Sequence, residues 1–269
     1  MSGSRAEKLV FGATSALVFV FLYLPLFLIV LYAFNKTNIN SWPFPGFSTK
    51  WFDKLLHDPV PKDAAWLSVK VAVVSTSLAL LLGTSMAFAF ARFRFFGREL
   101  VNFTVTLPII LPGVITGVAL ASFFLFIHTD LSVRTVIIGH TTFCIVLVFN
   151  NVLARLRRVS PSIEEASRDL GAAGWQTFLF VTLPTIRTAL VAGALLAFAL
   201  SFDEIAVTFF LAGSDTTTLP LWILGALRRT RDVPEVNAVA TVVLAISLPM
   251  IAAAAYLMRD EGAGFSSRE

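Results

Sequence analysis

The sequence predicts an all-α membrane protein with about six transmembrane helices. Of its 269 residues, 57% are hydrophobic and only 14% are charged, which is too little polar side chain to coat a soluble globule of that size. Apolar stretches recur along the chain, each long enough to cross a bilayer core of about 30 Å as a helix. We therefore expect lipid to be the solvent of the chain, and we treat residues 1–269 as one membrane domain.

Six segments have the length and composition of a membrane-spanning helix. They are Leu9–Phe34, Ala65–Ala91, Val101–Ile127, Val133–Ala154, Ile186–Ala212 and Val236–Met258. The first follows Arg5 and Lys8, as the apolar region of a signal peptide would, but it is longer than such a region and lacks a convincing small-residue cleavage site. We interpret it as a retained first helix.

The third segment holds a Gly-x-x-x-Gly pair, Gly113 and Gly117, beside Pro108 and Pro112. Glycines four residues apart let another helix approach the backbone closely, and prolines bend a helix. We therefore expect a kinked third span that packs closely on a neighbouring helix.

The distribution of basic residues predicts the orientation in the membrane. Cytoplasmic loops carry more Lys and Arg than external loops do. The short stretch Arg92–Arg98 and the cluster Arg155–Arg158 fall on the same side of the predicted membrane. We expect both loops to be cytoplasmic and, because the number of spans is even, both termini as well. The net charge of +4 then reflects these loops, so we exclude nucleic acid as a partner.

The sequence offers little material for catalysis. No Gly-x-x-x-x-Gly-Lys-Ser/Thr segment is present, so the chain has no P-loop to hold ATP phosphates. His57, His128 and His140 are isolated in sequence and are more simply explained as structural or interfacial residues. Cys144 is the single cysteine, so it has no disulfide partner within the chain. We expect no enzyme activity, no catalytic residue, no metal and no cofactor in this chain.

Two connections are long enough to have a role of their own. The outer one, Asn35–Ala64, is rich in Trp and Pro, and we expect an ordered aromatic loop with room for one short helix. It could shield helix ends or dock a partner, and the sequence leaves both open. The inner one covers residues 155–185 and is too polar to span a bilayer.

The inner connection predicts a helix-turn-helix on the membrane face. Ser162 and Glu165 have the spacing of a capping box at the start of a helix, and Gly171 can end that helix in a left-handed conformation. A second short helix through Trp175–Phe180 would then run up to Pro184, just before the next span. Without further information, such a segment could simply anchor the loop at the interface.

The same segment carries a motif with the pattern Glu, Ala, Ala, three residues, Gly, nine residues, Ile, any residue, Leu, Pro. The residues that match are Glu165, Ala166, Gly171, Leu183 and Pro184. Ser167 replaces the second Ala and Val181 replaces Ile, and both changes are conservative. The segment therefore resembles the EAA loop of bacterial ABC importer permeases.

This resemblance implies that the first helix of residues 155–185 docks into a groove on an ATPase subunit. Small side chains at Ala166 and Ser167 would permit close approach, and Glu165 and Arg168 would make charged contacts across the interface. The coupling residues that we infer are Glu165, Ala166, Ser167, Arg168 and Gly171.

The resemblance also implies the partners and the location of the chain. A dimer of ATPase subunits would bind ATP and Mg, since this chain lacks a P-loop. A second, homologous permease would complete the central pathway, and an extracytoplasmic binding protein would deliver a small-molecule substrate. The chain would lie in the bacterial inner membrane as a multi-pass protein.

Several runs are most similar to the spermidine/putrescine branch of these permeases. They begin at Glu164, Ala192, Thr218 and Pro234. The resemblance implies transport of polyamines or of a similar cationic or amine solute. Permeases for aminobutyrate, opines and ferric ion are built similarly, so these substrates remain open. An ion-coupled secondary transporter is the alternative of another class.

The predicted substrate pathway lies in the fifth span, where Ser201, Phe202, Asp203 and Glu204 interrupt an apolar helix. An intramembrane carboxylate is costly unless it pairs or faces water, and two adjacent acids cannot share one helix face. We expect one acid to face the pathway, with Asp203 favoured, and the other to face a protein partner. For a cationic substrate, the ring of Phe202 could add cation–π attraction. The alternative is a structural ion pair with Lys70.

Overall fold

The described parts of the chain are built from α-helices. The computed structural model describes residues 5–229 and 233–263, in which twelve α-helices and one π-helical segment occur and no β-strand does. The helices are α1 (Arg5–Ala33), α2 (Lys50–His57), α3 (Pro59–Arg92), α4 (Arg98–Ile110), α5 (Gly113–Phe126), α6 (Val133–Leu156), α7 (Ser162–Asp169), α8 (Gly174–Thr177), α9 (Leu183–Phe202), α10 (Ala206–Leu211), α11 (Leu219–Leu227) and α12 (Val233–Ala263), with the π-helical segment (Phe178–Thr182) between α8 and α9. The predicted all-α class is confirmed for these residues.

Four helices of the described chain are long and apolar enough to cross a membrane. They are Glu7–Ala33 of α1, α3, α6 and the continuous helix Gly174–Phe202 that α8, the π-helical segment and α9 form. The pair α4 and α5 adds a fifth if it counts as one span, and Val233–Pro249 of α12 is a shorter apolar helix. The multi-pass character is therefore evident, whereas the number six stays a prediction.

The predicted third span, Val101–Ile127, is not a single helix. It is broken between α4 and α5, which bend by 111° relative to each other. Leu111 ends α4 in an extended conformation, as expected for a residue that precedes a proline, and Pro112 begins the next helix. The predicted kink is confirmed, and it is much sharper than a bend within one helix.

The predicted fifth span, Ile186–Ala212, differs at both ends. Its helix begins earlier, at Gly174, and continues through Pro184 near the start of α9. The preceding turn is π-helical, and the N–H of Leu183 reaches back to the carbonyl of Phe178. The helix then ends at Phe202, and α10 follows after a short turn.

The chain divides into two compact units. One combines residues up to Lys62 with those from Ile223 onward, and the other is Asp63–Trp222. In the first unit α1 and α2 both pack on α12, around Ala33, Trp51 and Ala238. The outer connection is ordered there, as predicted, because α2 lies within it and the indole of the buried Trp51 donates a hydrogen bond to the Asn35 carbonyl oxygen at 2.8 Å.

The second unit holds the candidate functional residues. Its core is organised around α6, whose most apolar stretch is 61% buried, against 6% for α1. Helix α9 packs along α6, and α10 packs on both α5 and α6. Phe149, Ile186 and Leu211 are the largest fully buried apolar side chains of this core. Because α6 is enclosed, the polar side chains that it carries must find partners inside the unit.

Candidate functional site

Helix α7 carries the predicted coupling residues, and its start differs from the expectation. The helix begins at Ser162, so this serine does not occupy the capping position and forms no capping box with Glu165. Instead the hydroxyl of Ser160 accepts the Ser162 N–H at 3.3 Å. Glu164 and Glu165 do lie in the first turn, where the helix dipole favours negative charge.

The end of α7 follows the sequence prediction. Gly171 adopts a φ of +87°, in the left-handed region that favours glycine. The N–H of Gly171 bonds to the carbonyl of Arg168 at 2.9 Å, and the N–H of Ala172 bonds to the carbonyl of Ser167 at 3.2 Å. These two bonds form a Schellman motif, which satisfies the last carbonyls of α7 and turns the chain toward α8.

One side of α7 is tied to the rest of its unit. Glu164 forms an ion pair with Arg92, at the end of α3, and accepts a hydrogen bond from the Thr182 hydroxyl at 2.9 Å. The side chains of Arg92 and Glu164 are only 24% and 12% exposed. The hydroxyls of Ser167 and Thr177 lie 3.1 Å apart, within hydrogen-bond distance. Ser167 therefore faces its own chain and does not present the small outward surface that we expected of it.

The other side of α7 is open. Glu165, Ala166 and Arg168 are exposed, as the coupling prediction requires. Ile163 and Leu170, which the sequence analysis did not select, are 49% and 90% exposed. Ile163, Ala166 and Leu170 are spaced so that they fall on one face of a helix. This spacing could have identified Ile163 and Leu170 from the sequence. We call these five residues the outer face of α7: small and apolar side chains with one acid and one base beside them.

The break after α9 separates the two adjacent acids of the predicted pathway. Asp203 ends the helix, with its N–H bonded to the Ala199 carbonyl at 3.2 Å, and its side chain is exposed. The Glu204 carboxylate instead turns inward and accepts the N–H of Val207 in the first turn of α10 at 2.8 Å. An acid in that position offsets the unsatisfied donors of the helix start.

The two remaining pathway residues have different surroundings. Phe202 is half-buried and stacks on Phe198, with ring centroids 6.0 Å apart. Ser201 is buried, and its hydroxyl lies 2.8 Å from Nδ1 of His140. It therefore does not line an open surface of this chain, in contrast to the expectation. The alternative ion pair is not formed, because the Lys70 ammonium lies over the ring of Trp66 at 5.3 Å and not on Asp203.

His140, which we interpreted from the sequence as a structural or interfacial residue, lies at the break between α9 and α10. It lies on α6, is 1% exposed, and has Nε2 2.8 Å from the Thr208 hydroxyl of α10. Its two ring nitrogens thus reach both sides of the break. No sequence signal pointed to this role, since the partners are 61 and 68 residues away.

Within residues 5–229 and 233–263, no group of His, Cys, Asp and Glu is placed to hold a metal ion.

The close packing predicted for the Gly-x-x-x-Gly pair is confirmed, and its partner is α10. A Cβ on Gly117 would lie 2.9 Å from the Phe210 ring and 3.2 Å from the Cα of Val207. A Cβ on Gly113 would lie 3.1 Å from the Ala206 side chain. Helix α10 therefore packs directly on the backbone of α5, and this contact fixes the α10 side of the break.

Comparison with known proteins identifies the family. Residues 79–260 match the family described as binding-protein-dependent transport system inner membrane component. The chain belongs to this family. It is 38% identical over 234 residues to the putrescine transport system permease protein PotI of Escherichia coli, covering 84% of this chain and 82% of that protein. It is 31% identical over 258 residues to the spermidine/putrescine transport system permease protein PotC of Escherichia coli, covering 96% and 97% of the two chains.

A solved structure shares the fold. It is the crystal structure of a bacterial ABC transporter involved in the import of the acidic polysaccharide alginate, and the matching chain has a TM-score of 0.69. The match covers 93% of this chain and 98% of that chain at 17% sequence identity. Together with the apolar helices, the family membership makes this chain a multi-pass permease subunit of an inner-membrane transport system.

Proposed function

We propose that this permease belongs to an ATP-driven importer of polyamines, such as putrescine or spermidine. The observation that carries the proposal is the exposed carboxylate of Asp203 at the end of a membrane-spanning helix. An unpaired carboxylate at such a place is costly unless it faces water or a partner, so a water-lined pathway is its natural setting. The relatives named for putrescine and spermidine transport support a substrate that carries ammonium groups.

The geometry around Asp203 suits a cationic solute. The Glu204 carboxylate already accepts a hydrogen bond from the Val207 N–H of α10. Asp203 is therefore the acid of the pair that is available to a substrate. The half-exposed ring of Phe202 lies next to it in sequence and could add cation–π attraction to an ammonium group. A linear diamine could place one of its ammonium groups against this carboxylate.

The coupling part of the proposal rests on the outer face of α7. Exposed apolar side chains beside charged ones are typical of a surface that packs into a partner. The inner contacts of Glu164 with Arg92 and Thr182 would pass movement of α7 on to α3 and to the π-helical segment that leads into α9. The partner that we propose for this face is one subunit of an ATPase dimer, which would bind ATP and Mg, with residues 155–185 and both termini in the cytoplasm.

The remaining partners follow from the same mechanism. A second, homologous permease would form the other wall of the pathway, and an extracytoplasmic binding protein would deliver the substrate. Closure of the ATPase dimer would press the α7 helices together and turn the pathway from inward-facing to outward-facing. The chain would transmit force and position the substrate without catalysing a reaction.

A substrate panel tests this proposal. The complex of the chain with its ATPase, second permease and binding protein is reconstituted in vesicles, and uptake of putrescine, spermidine, aminobutyrate and ferric ion is measured with and without ATP. We expect ATP-dependent uptake of the two polyamines. Uptake of aminobutyrate or ferric ion alone would refute the polyamine assignment, and uptake driven by an ion gradient without ATP would refute the importer class.

A further inference from the structure

The break between α9 and α10 is bridged by a buried polar network. Nδ1 of His140 lies 2.8 Å from the Ser201 hydroxyl, and Nε2 lies 2.8 Å from the Thr208 hydroxyl. The Thr208 hydroxyl also donates to the Glu204 carbonyl at 2.8 Å. One imidazole on α6 is thus bonded to the last turn of α9 and to the first turns of α10 at the same time.

The hydrogen bonds of this network are mutually consistent. A neutral imidazole has one N–H donor and one acceptor nitrogen, and a hydroxyl group can donate or accept, so both neutral tautomers of His140 can bond to Ser201 and Thr208. With its proton on Nε2, His140 would donate to the Thr208 oxygen, whose own proton goes to the Glu204 carbonyl, and would accept the Ser201 hydroxyl proton at Nδ1. Every polar atom of the ring is satisfied, so a buried histidine is stable here without a charged partner.

Helix α10 is held against α6 at two further points. The Thr135 hydroxyl, earlier on α6, lies 2.9 Å from the Leu211 carbonyl oxygen and 2.7 Å from the Ser132 carbonyl oxygen, and the two carbonyls share its proton. Gly139 leaves room for the same helix, since a Cβ there would lie 2.3 Å from the Leu211 side chain and 3.1 Å from that of Val207. The contacts on α6 therefore fix the orientation of α10, and His140 links α10 to the end of α9.

We propose that His140 is a positioning residue of the substrate pathway. By holding Ser201 and Thr208, it fixes the turn between α9 and α10 so that Asp203 points outward while Glu204 stays on the start of α10. Ser201 then acts through the histidine and does not contact the substrate. The inference rests on the proposed function only in that Asp203 faces the pathway.

A labelling experiment tests the placement without reference to the substrate. The full chain carrying Asp203→Cys is expressed with its partner subunits and treated with a quaternary-ammonium methanethiosulfonate, and the wild-type chain, whose Cys144 is buried, gives the background. We expect the additional His140→Phe, which keeps a buried ring but removes both hydrogen bonds, to slow labelling about tenfold. The matched control is Val136→Ala, which is equally buried one turn earlier on α6 and should change the rate less than about twofold.

Ser201→Ala covers the case in which His140→Phe does not assemble. It removes one of the two bonds and very little volume, so we expect labelling to slow about threefold. An unchanged labelling rate in every assembled variant of this pair would overturn the positioning role. A change in labelling rate equal to the change caused by Val136→Ala would also overturn the positioning role.

Transport kinetics separate this inference from the proposed function. For putrescine uptake, His140→Phe and Asp203→Asn should each raise KM about tenfold, and the double variant should be no worse than Asp203→Asn alone, because both act through one carboxylate. Additive effects would overturn the positioning role. Changed labelling with an unchanged KM in all three variants would support the placement of Asp203 by His140 and refute the cationic pathway.

Discussion

Two pairs of adjacent acids, Glu164–Glu165 in α7 and Asp203–Glu204 after α9, are arranged in the same way. In each pair one carboxylate is bonded within the chain and the other is exposed. Glu164 holds Arg92 and Thr182, and Glu204 holds the start of α10. Glu165 and Asp203 have no such partner within their unit and lie open.

Two adjacent acids can therefore serve two different purposes. In α7, successive residues point in directions about 100° apart, so Glu164 and Glu165 cannot both face inward. Asp203 and Glu204 lie in the turn between α9 and α10, where the break in the helix separates the two side chains. The inward acid fixes the backbone at that place, and the outward acid is thereby held in position for another molecule. The pairs differ in what they face: the first lies on a helix with an exposed apolar side, and the second lies at the end of a membrane-spanning helix.

Reversing the inward charge of the first pair should have the largest effect. In Glu164→Arg the guanidinium of Arg92 loses its carboxylate and meets a like charge, and breaking a largely buried pair costs about 3 to 5 kcal/mol. We expect the assembled complex to fall strongly in yield and in melting temperature. The measurement is size-exclusion chromatography and thermal unfolding of the purified complex.

The charge swap is the control for that change. Arg92→Glu combined with Glu164→Arg restores an ion pair at the same place, so we expect it to recover most of the yield. If the double variant were as poor as Glu164→Arg alone, the pair would not be what holds α7 to α3. The Thr182 hydroxyl would then be the contact to examine next.

Changing the outward charge of the same pair should have a smaller and different effect. Glu165→Lys breaks no hydrogen bond or ion pair within the chain and loses only the favourable placement of an acid at the helix start, about 0.3 to 1 kcal/mol, so melting temperature and membrane yield of the permease should change little. We expect less ATPase subunit to co-purify and weaker stimulation of ATP hydrolysis by the binding protein, because a charge complementary to the partner has been reversed. Unchanged co-purification together with unchanged stimulation would remove Glu165 from the coupling surface.

Local patterns in the sequence predicted the features that depend on local geometry. The left-handed Gly171, the close packing of Gly113 and Gly117, and the exposure of Glu165 follow from residue type and spacing alone. Each of these features is determined by the backbone conformation of one residue or by the position of a side chain on one helix face. The family resemblance added the coupling role, which no spacing rule could supply.

The features that the sequence did not predict depend on distant parts of the chain. The hydropathy of Ile186–Ala212 is that of one continuous helix, and its break is stabilised by a histidine on another helix. Ser167 faces inward because its hydroxyl lies within hydrogen-bond distance of the hydroxyl of Thr177, ten residues later. Such contacts decide where a polar side chain points, and a single sequence does not contain them.

In the second pair, we propose that the outward acid, Asp203, serves the substrate and the inward acid, Glu204, serves the fold. The direct test is putrescine uptake by the reconstituted complex with Asp203→Asn and with Glu204→Gln, compared at equal amounts of assembled protein. Gln keeps an oxygen that can accept the Val207 N–H, so we expect Glu204→Gln to retain uptake within about threefold, whereas Asp203→Asn should lose at least about tenfold. Equal losses, or a larger loss from Glu204→Gln, would contradict the account.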